Sequence, residues 1–111
     1  MIREVNILDA KDIQELCKDE LGYNVDIKTV KTQIEKLSID YKHHIIAVYE
    51  DKKTSKVVGF VHAEMYESLY SDIGLNILGL AVNSNFQGKG IGKKLMVFVE
   101  EYALNNNRPV R

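Results

Sequence analysis

Three glycines alternate with other residues in Gln87-Gly88-Lys89-Gly90-Ile91-Gly92, between an apolar run and an amphipathic one. A glycine inside a helix costs roughly 1 kcal/mol relative to alanine, so glycines where a helix is starting call for a physical reason. Upstream, Ile73 to Val82 reads as a strand, with Leu75, Ile77, Leu78, Leu80 and Val82 mostly apolar on both faces. Downstream, Ile91, Leu95, Phe98, Val99 and Tyr102 share one helical face. A strand, a glycine turn and a helix N-terminus together form an anion site. The first helical N–H groups lack intrahelical acceptors, the helix dipole adds about half a positive charge, and glycine removes the Cβ atoms that would hold a phosphate away. Lys89, Lys93 and Lys94 add positive charge, and Gln87 adds a side-chain amide.

Two familiar phosphate loops do not fit. A Walker A loop needs G-x-x-x-x-G-K-[ST], and neither that spacing nor the magnesium-binding hydroxyl is present. A dinucleotide fingerprint needs G-x-G-x-x-G and a further parallel strand, whereas this chain has G-x-G-x-G and little sequence after it.

The rest of the chain supplies the context. Met1 to Leu8 alternates imperfectly and reads as a short strand. Asp9 is the expected N-cap of a helix carrying Ile13, Leu16 and Cys17, with Gly22 as its stop. Asp26 caps a second helix with the stripe Ile27, Val30, Ile34 and Leu37. His43 to Tyr49 and Val57 to Tyr66 read as a hairpin joined by a polar turn, and Ser68 to Asp72 as the turn into the Ile73–Val82 strand. A strand apolar on both sides belongs in the middle of a helix-covered sheet, and Gly79 within it marks a bulge or a close backbone approach. Arg108-Pro109-Val110-Arg111 would start one more strand. The order is β-α-α-β-β-β-α: a single α/β (α+β) domain over 1–111, with a mixed, mostly antiparallel sheet flanked by helices.

Composition narrows the function classes. A net charge of -1 gives no positive field for nucleic acid or anionic lipid. No apolar run approaches the roughly 18 residues of a membrane span, and no signal peptide is recognisable. The single cysteine, Cys17, excludes an internal disulfide and lacks metal-ligand spacing. These features fit a reducing cytoplasm and no metal.

Gln87-Gly88-Lys89-Gly90-Ile91-Gly92 resembles the Q/R-x-x-G-x-G/A signature of the GNAT superfamily of acetyl-CoA-dependent N-acetyltransferases. Leu78-Gly79-Leu80-Ala81-Val82 resembles that family's central strand, and the element order agrees over essentially the whole chain. The resemblance implies that acetyl-CoA binds with its diphosphate on the backbone N–H groups of Gly88, Lys89, Gly90, Ile91, Gly92 and Lys93 and on the Gln87 side chain. It implies that Leu80 and Val82 pair with pantetheine through their main chains, one of those N–H groups facing the thioester oxygen. The activity implied is direct attack of a primary amine, on a small molecule or peptide, at the acetyl thioester. The family fold continues with a strand, a helix and a closing hairpin, and a tyrosine on that helix often protonates the leaving thiolate. The sequence stops at Arg111, at the threshold of that part, so the tyrosine's role is left unassigned; either the chain is truncated or a neighbouring chain supplies the missing edge. The open edge then left on the Ile73–Val82 strand points to a homodimer or exchanged elements.

A base must take the amine's proton. Some relatives place a glutamate where Asn76 stands, and an amide cannot serve. Glu64 on the adjacent strand is the choice, with His62 on the same face. Glu67 and Asp72 could attract a cationic acceptor. His43 and His44 are expected to face solvent, Cys17 to sit in the core, and Tyr23 and Tyr41 to pack or line the acceptor site. Two other functions stay open: a CoA-binding module without turnover, and a nucleotide-binding domain.

Overall fold

The computed structural model describes residues 1–105. Strand β1 (Ile2–Glu4) is followed by a 3-10 turn (Ile7–Asp9), helix α1 (Ala10–Leu21), helix α2 (Ile27–Ile39), strands β2 (His44–Glu50), β3 (Val57–Ser68) and β4 (Ser71–Val82), a second 3-10 turn (Ser84–Phe86) and helix α3 (Ile91–Asn105). The sheet runs β1-β2-β3-β4 with every described pairing antiparallel. The strand expected from Arg108 lies outside the described residues.

The sheet carries an apolar layer on each face. Ala10, Ile13, Leu16, Val30 and Ile34 from α1 and α2 pack on Val48, Phe60 and Ala81. Ile91, Leu95, Val99 and Ala103 from α3 pack on Ile45, Ala47, Val61, Ala63 and Met65. Gly59 lets α3 come close. A Cβ there would stand 3.2 Å from Ile91 Cγ2 and 3.3 Å from Ala81 O.

The helix boundaries follow from local chemistry. Asp26 Oδ1 accepts from Thr29 N at 2.7 Å, capping α2 as expected. Gly22, at φ +75, ends α1, with Tyr23 N donating to Cys17 O at 2.9 Å. Asp9 behaves differently from expectation. It makes no side-chain cap for α1. Its buried carboxylate accepts from Asn6 N at 2.8 Å and from both terminal nitrogens of Arg3 at 2.9 and 2.8 Å. The strand expected through Leu8 therefore stops at Glu4, because Asn6 and Asp9 cap a 3-10 turn reciprocally.

Strand β4 is also placed differently. Its apolar residues on both faces suggested the middle of a sheet, yet it is the last strand of the described sheet and is only partly buried. The bulge expected near Gly79 is present. His62 pairs with Gly79 and Ala63 with Ile77, which leaves Leu78 as the extra residue.

Candidate active site

The glycine loop closes between the end of β4 and the start of α3. Gly88 and Gly90 have φ of +81 and +79, the left-handed region that glycine enters without strain. Neither glycine has an atom within 4 Å of the position a Cβ would take, and Gly92 has only Val82 Cγ2, at 3.9 Å. Open space therefore lies beside this backbone. Because α3 starts at Ile91, only Gly92 carries the cost of glycine within a helix.

Helical pairing begins with Lys94 N donating to Gly90 O at 3.0 Å. The amides of Gly88 to Lys93 find no acceptor among the described residues. These are the unpartnered groups that a helix N-terminus offers to an anion.

A cleft of about 360 Å³ opens beside them, lined by Leu80 and Val82 of β4, Phe86, Gln87, Gly88 and Gly90 of the loop, and Ile91 and Gly92 of α3. The positions singled out in the sequence thus meet around one space, with two differences. Lys89 and Lys93 do not line the cleft: Lys89 Nζ lies 5.1 Å from the centre of the Phe86 ring, and Lys93 borders a separate hollow with Tyr49 and Phe98. The exposed Gln87 side chain is engaged by the protein itself, its Nε2 donating to Val82 O at 3.2 Å and to Glu20 Oε1 at 3.5 Å. Glu20 also accepts from Ser84 N at 3.0 Å, so the end of α1 holds the loop against the sheet.

The sequence reading missed Phe86 and Glu20. Phe86 is an apolar residue in a polar loop, and that contrast was a usable signal. Glu20 stands 64 positions from Ser84 and gave none.

The candidate bases lie on β3, on the face towards α1 and α2. Glu64 is half-buried and accepts from Asn76 Nδ2 at 3.1 Å. His62 is held below the usual imidazole range, first by burial and then by the nearby His44, with Glu64 opposing. His44 does not face solvent as expected. It is half-buried, and its Nδ1 stands 2.9 Å from His62 Nε2. His43 is exposed and pairs with Asp40 at 2.8 Å. Glu67 and Asp72 are exposed beside the β3–β4 turn. Tyr23 and Tyr41 are exposed as well. Cys17 is half-buried, and its environment pushes the thiol up from its ordinary value. Among the described residues, no group of three or more His, Cys, Asp or Glu side chains is placed to hold a metal ion.

Comparison with known proteins gives a consistent result. The sequence model of the Acetyltransferase (GNAT) family matches residues 10–108. No curated protein sequence matches the chain. Among solved structures, a glucosamine-6-phosphate N-acetyltransferase from Arabidopsis thaliana is similar with a TM-score of 0.81 at 22% identity, covering 95% of this chain and 74% of that one. A GNAT family acetyltransferase from Staphylococcus aureus gives 0.77 at 23%, covering 98% and 81%. A ribosomal-protein-alanine N-acetyltransferase from Brucella melitensis gives 0.73 at 20%, covering 96% and 68%.

Proposed function

The chain belongs to the acetyltransferase (GNAT) family, and from that premise we propose that it transfers an acetyl group from acetyl-CoA to a primary amine on a small molecule or peptide. One observation carries the reading. The unpartnered amides of Gly88, Gly90, Ile91 and Gly92 border the cleft that Leu80 and Val82 also line. Bound there, acetyl-CoA would supply a thioester activated for attack by nitrogen. The loop amides would hold its diphosphate, with the α3 dipole adding to each contact. Main-chain groups of Leu80 and Val82 would align the pantetheine arm. A main-chain N–H of the bulged strand would donate to the carbonyl oxygen as negative charge gathers on it. The amine must arrive neutral, so a side chain on β3, Glu64 or His62, takes its proton.

Two further parts belong to this reading. The outer edge of β4 carries no partner strand among the described residues, and an open edge of twelve residues pairs readily with another chain. We therefore read the working form as a homodimer; the single cysteine, Cys17, favours a reducing cytoplasm as its setting. A monomer by sedimentation at micromolar concentration would remove the dimer.

Calorimetry with acetyl-CoA followed by a thiol-release assay tests the main claim. The amines should include an amino-sugar phosphate and a peptide with N-terminal alanine, the groups named for two of the similar structures. Thiol release with any amine supports transfer. Tight binding without release points to a CoA-binding module. Absence of binding contradicts both.

A further inference from the structure

On the α1/α2 side of the sheet, β2 and β3 bring two imidazoles together. His44 lies opposite Glu64 and His62 opposite Ile46, so the histidines are diagonal neighbours. His44 Nδ1 and His62 Nε2 are 2.9 Å apart, and the ring centroids are 5.1 Å apart. A nitrogen–nitrogen contact of that length needs one proton between the rings. It leaves His62 Nδ1 and His44 Nε2 as the outward nitrogens of the pair.

His62 also lines a crevice of about 180 Å³ enclosed by α1, α2 and the sheet. Across β3 it pairs with Gly79 at the β4 bulge. Phe60, which shares the crevice, has a ring carbon 3.6 Å from the Cβ position of Gly79. His62 thus lies on the strand directly beside the distorted part of β4.

We propose that His62 and His44 act as one proton-holding unit for the acceptor amine, with His62 Nδ1 as the base and His44 as the residue that positions it and shares its charge. This rests on the acetyl-transfer reading. In the resting tautomer proposed, His62 Nδ1 is bare and His62 Nε2–H donates to His44 Nδ1. The ammonium gives its proton to His62 Nδ1, and the lone pair left on nitrogen attacks the thioester carbon; as the C–S bond breaks, the departing thiolate takes the second proton from nitrogen. The Nε2 proton of His62 crosses to His44 Nδ1, so the single positive charge rests on His44. After product leaves, the proton between the rings returns to His62 Nε2 and water takes the one on Nδ1. One proton enters and one leaves, with no change in oxidation state.

The surroundings suit this cycle. Burial, and after it the nearby His44, lower the pKa of His62 and so favour its neutral ring. Glu64, opposite His44 in register, favours the charged pair. Across the crevice α1 presents the Cys17 thiol, while α2 presents the neutral Thr29 and Gln33. On β4 the neighbours are the neutral Gly79 and Asn76.

The first test uses the protein alone. Nitrogen-15 spectra of the imidazoles at neutral pH should show His62 with a bare Nδ1 and a protonated Nε2. A major tautomer with Nδ1 protonated overturns the proposal, whatever the turnover.

The second test is the pH profile of kcat/KM for an amine that gives thiol release. His62→Gln should lower kcat about 100-fold or more with CoA affinity unchanged. His44→Gln should move the acid limb to lower pH, because the charge is no longer shared. A neighbour acting only through like charge would, when removed, move the limb to higher pH. An upward or absent shift overturns the shared role. If no amine releases thiol, acetyl transfer fails as a reading, and the tautomer alone decides whether His62 presents a base.

Discussion

Replacing Gly90 with aspartate separates the charge of the loop from its shape. At φ +79 any side chain meets left-handed backbone strain of about 1 to 2 kcal/mol, least for Asn and Asp. Nothing lies within 4 Å of the new Cβ, so no steric term is added. Gly90→Asn therefore serves as the matched control, and both variants should lose a similar few degrees, roughly 4 °C, in Tm. If a diphosphate occupies the space beside Gly90, the aspartate carboxylate stands about 4 Å from it. Each charge pair at that distance costs about 1 kcal/mol in water, and more where water is excluded. Two phosphate charges give about 2 kcal/mol, or about 30-fold in affinity. Calorimetry with CoA at low and high salt should show Gly90→Asp binding about 30-fold more weakly than Gly90→Asn, the gap narrowing as salt rises. Equal affinities for the two variants would refute the placement of the diphosphate on this loop.

Other consequences concern the scaffold. Leu95 is fully buried beneath α3, so Leu95→Ala should cost about 3 to 5 kcal/mol, read from denaturant midpoints. Gly59→Ala pushes a methyl against Ile91 and the Ala81 carbonyl and should cost about 1 to 3 kcal/mol while lowering CoA affinity, because α3 shifts. Asp26→Ala removes the cap on Thr29 N at about 1 kcal/mol, with CoA affinity unchanged. His62 has a folded-state pKa below its ordinary value, so as pH falls the unfolded chain binds its proton first. Its share of stability is present above about pH 6.5 and declines towards the lower folded value. Thermal melts from pH 7.5 to 5 should show a loss that His62→Gln reduces.

The loop was the most legible part of the chain, because glycine at alternate positions ahead of a 3.6-residue apolar period has few physical explanations. The caps at Asp26 and Gly22 were readable for a similar reason, since each acts within a few residues of itself. Long-range pairing was not readable. Asp9 fits the local pattern of an N-cap, yet Arg3 and the Asn6 amide claim its carboxylate. The apolar residues of β4 fit a central strand, but burial on both faces does not reveal whether the outer edge is paired. The contact between His44 and His62 needed the β2–β3 register, which the sequence leaves open because a polar turn of uncertain length joins the strands. Gln87 was assigned to an anion through its motif, and its bonds to Val82 and Glu20 depend on how α1 meets the loop.

The central claim is that backbone amides at the start of α3 hold the diphosphate of CoA. Amide nitrogen and proton shifts recorded while CoA is added test it residue by residue. The account predicts that the largest changes, saturating together, fall on Gly88 to Lys93 and on Leu80 and Val82 beside them. Changes centred on another surface, with those amides unmoved at saturation, would contradict it.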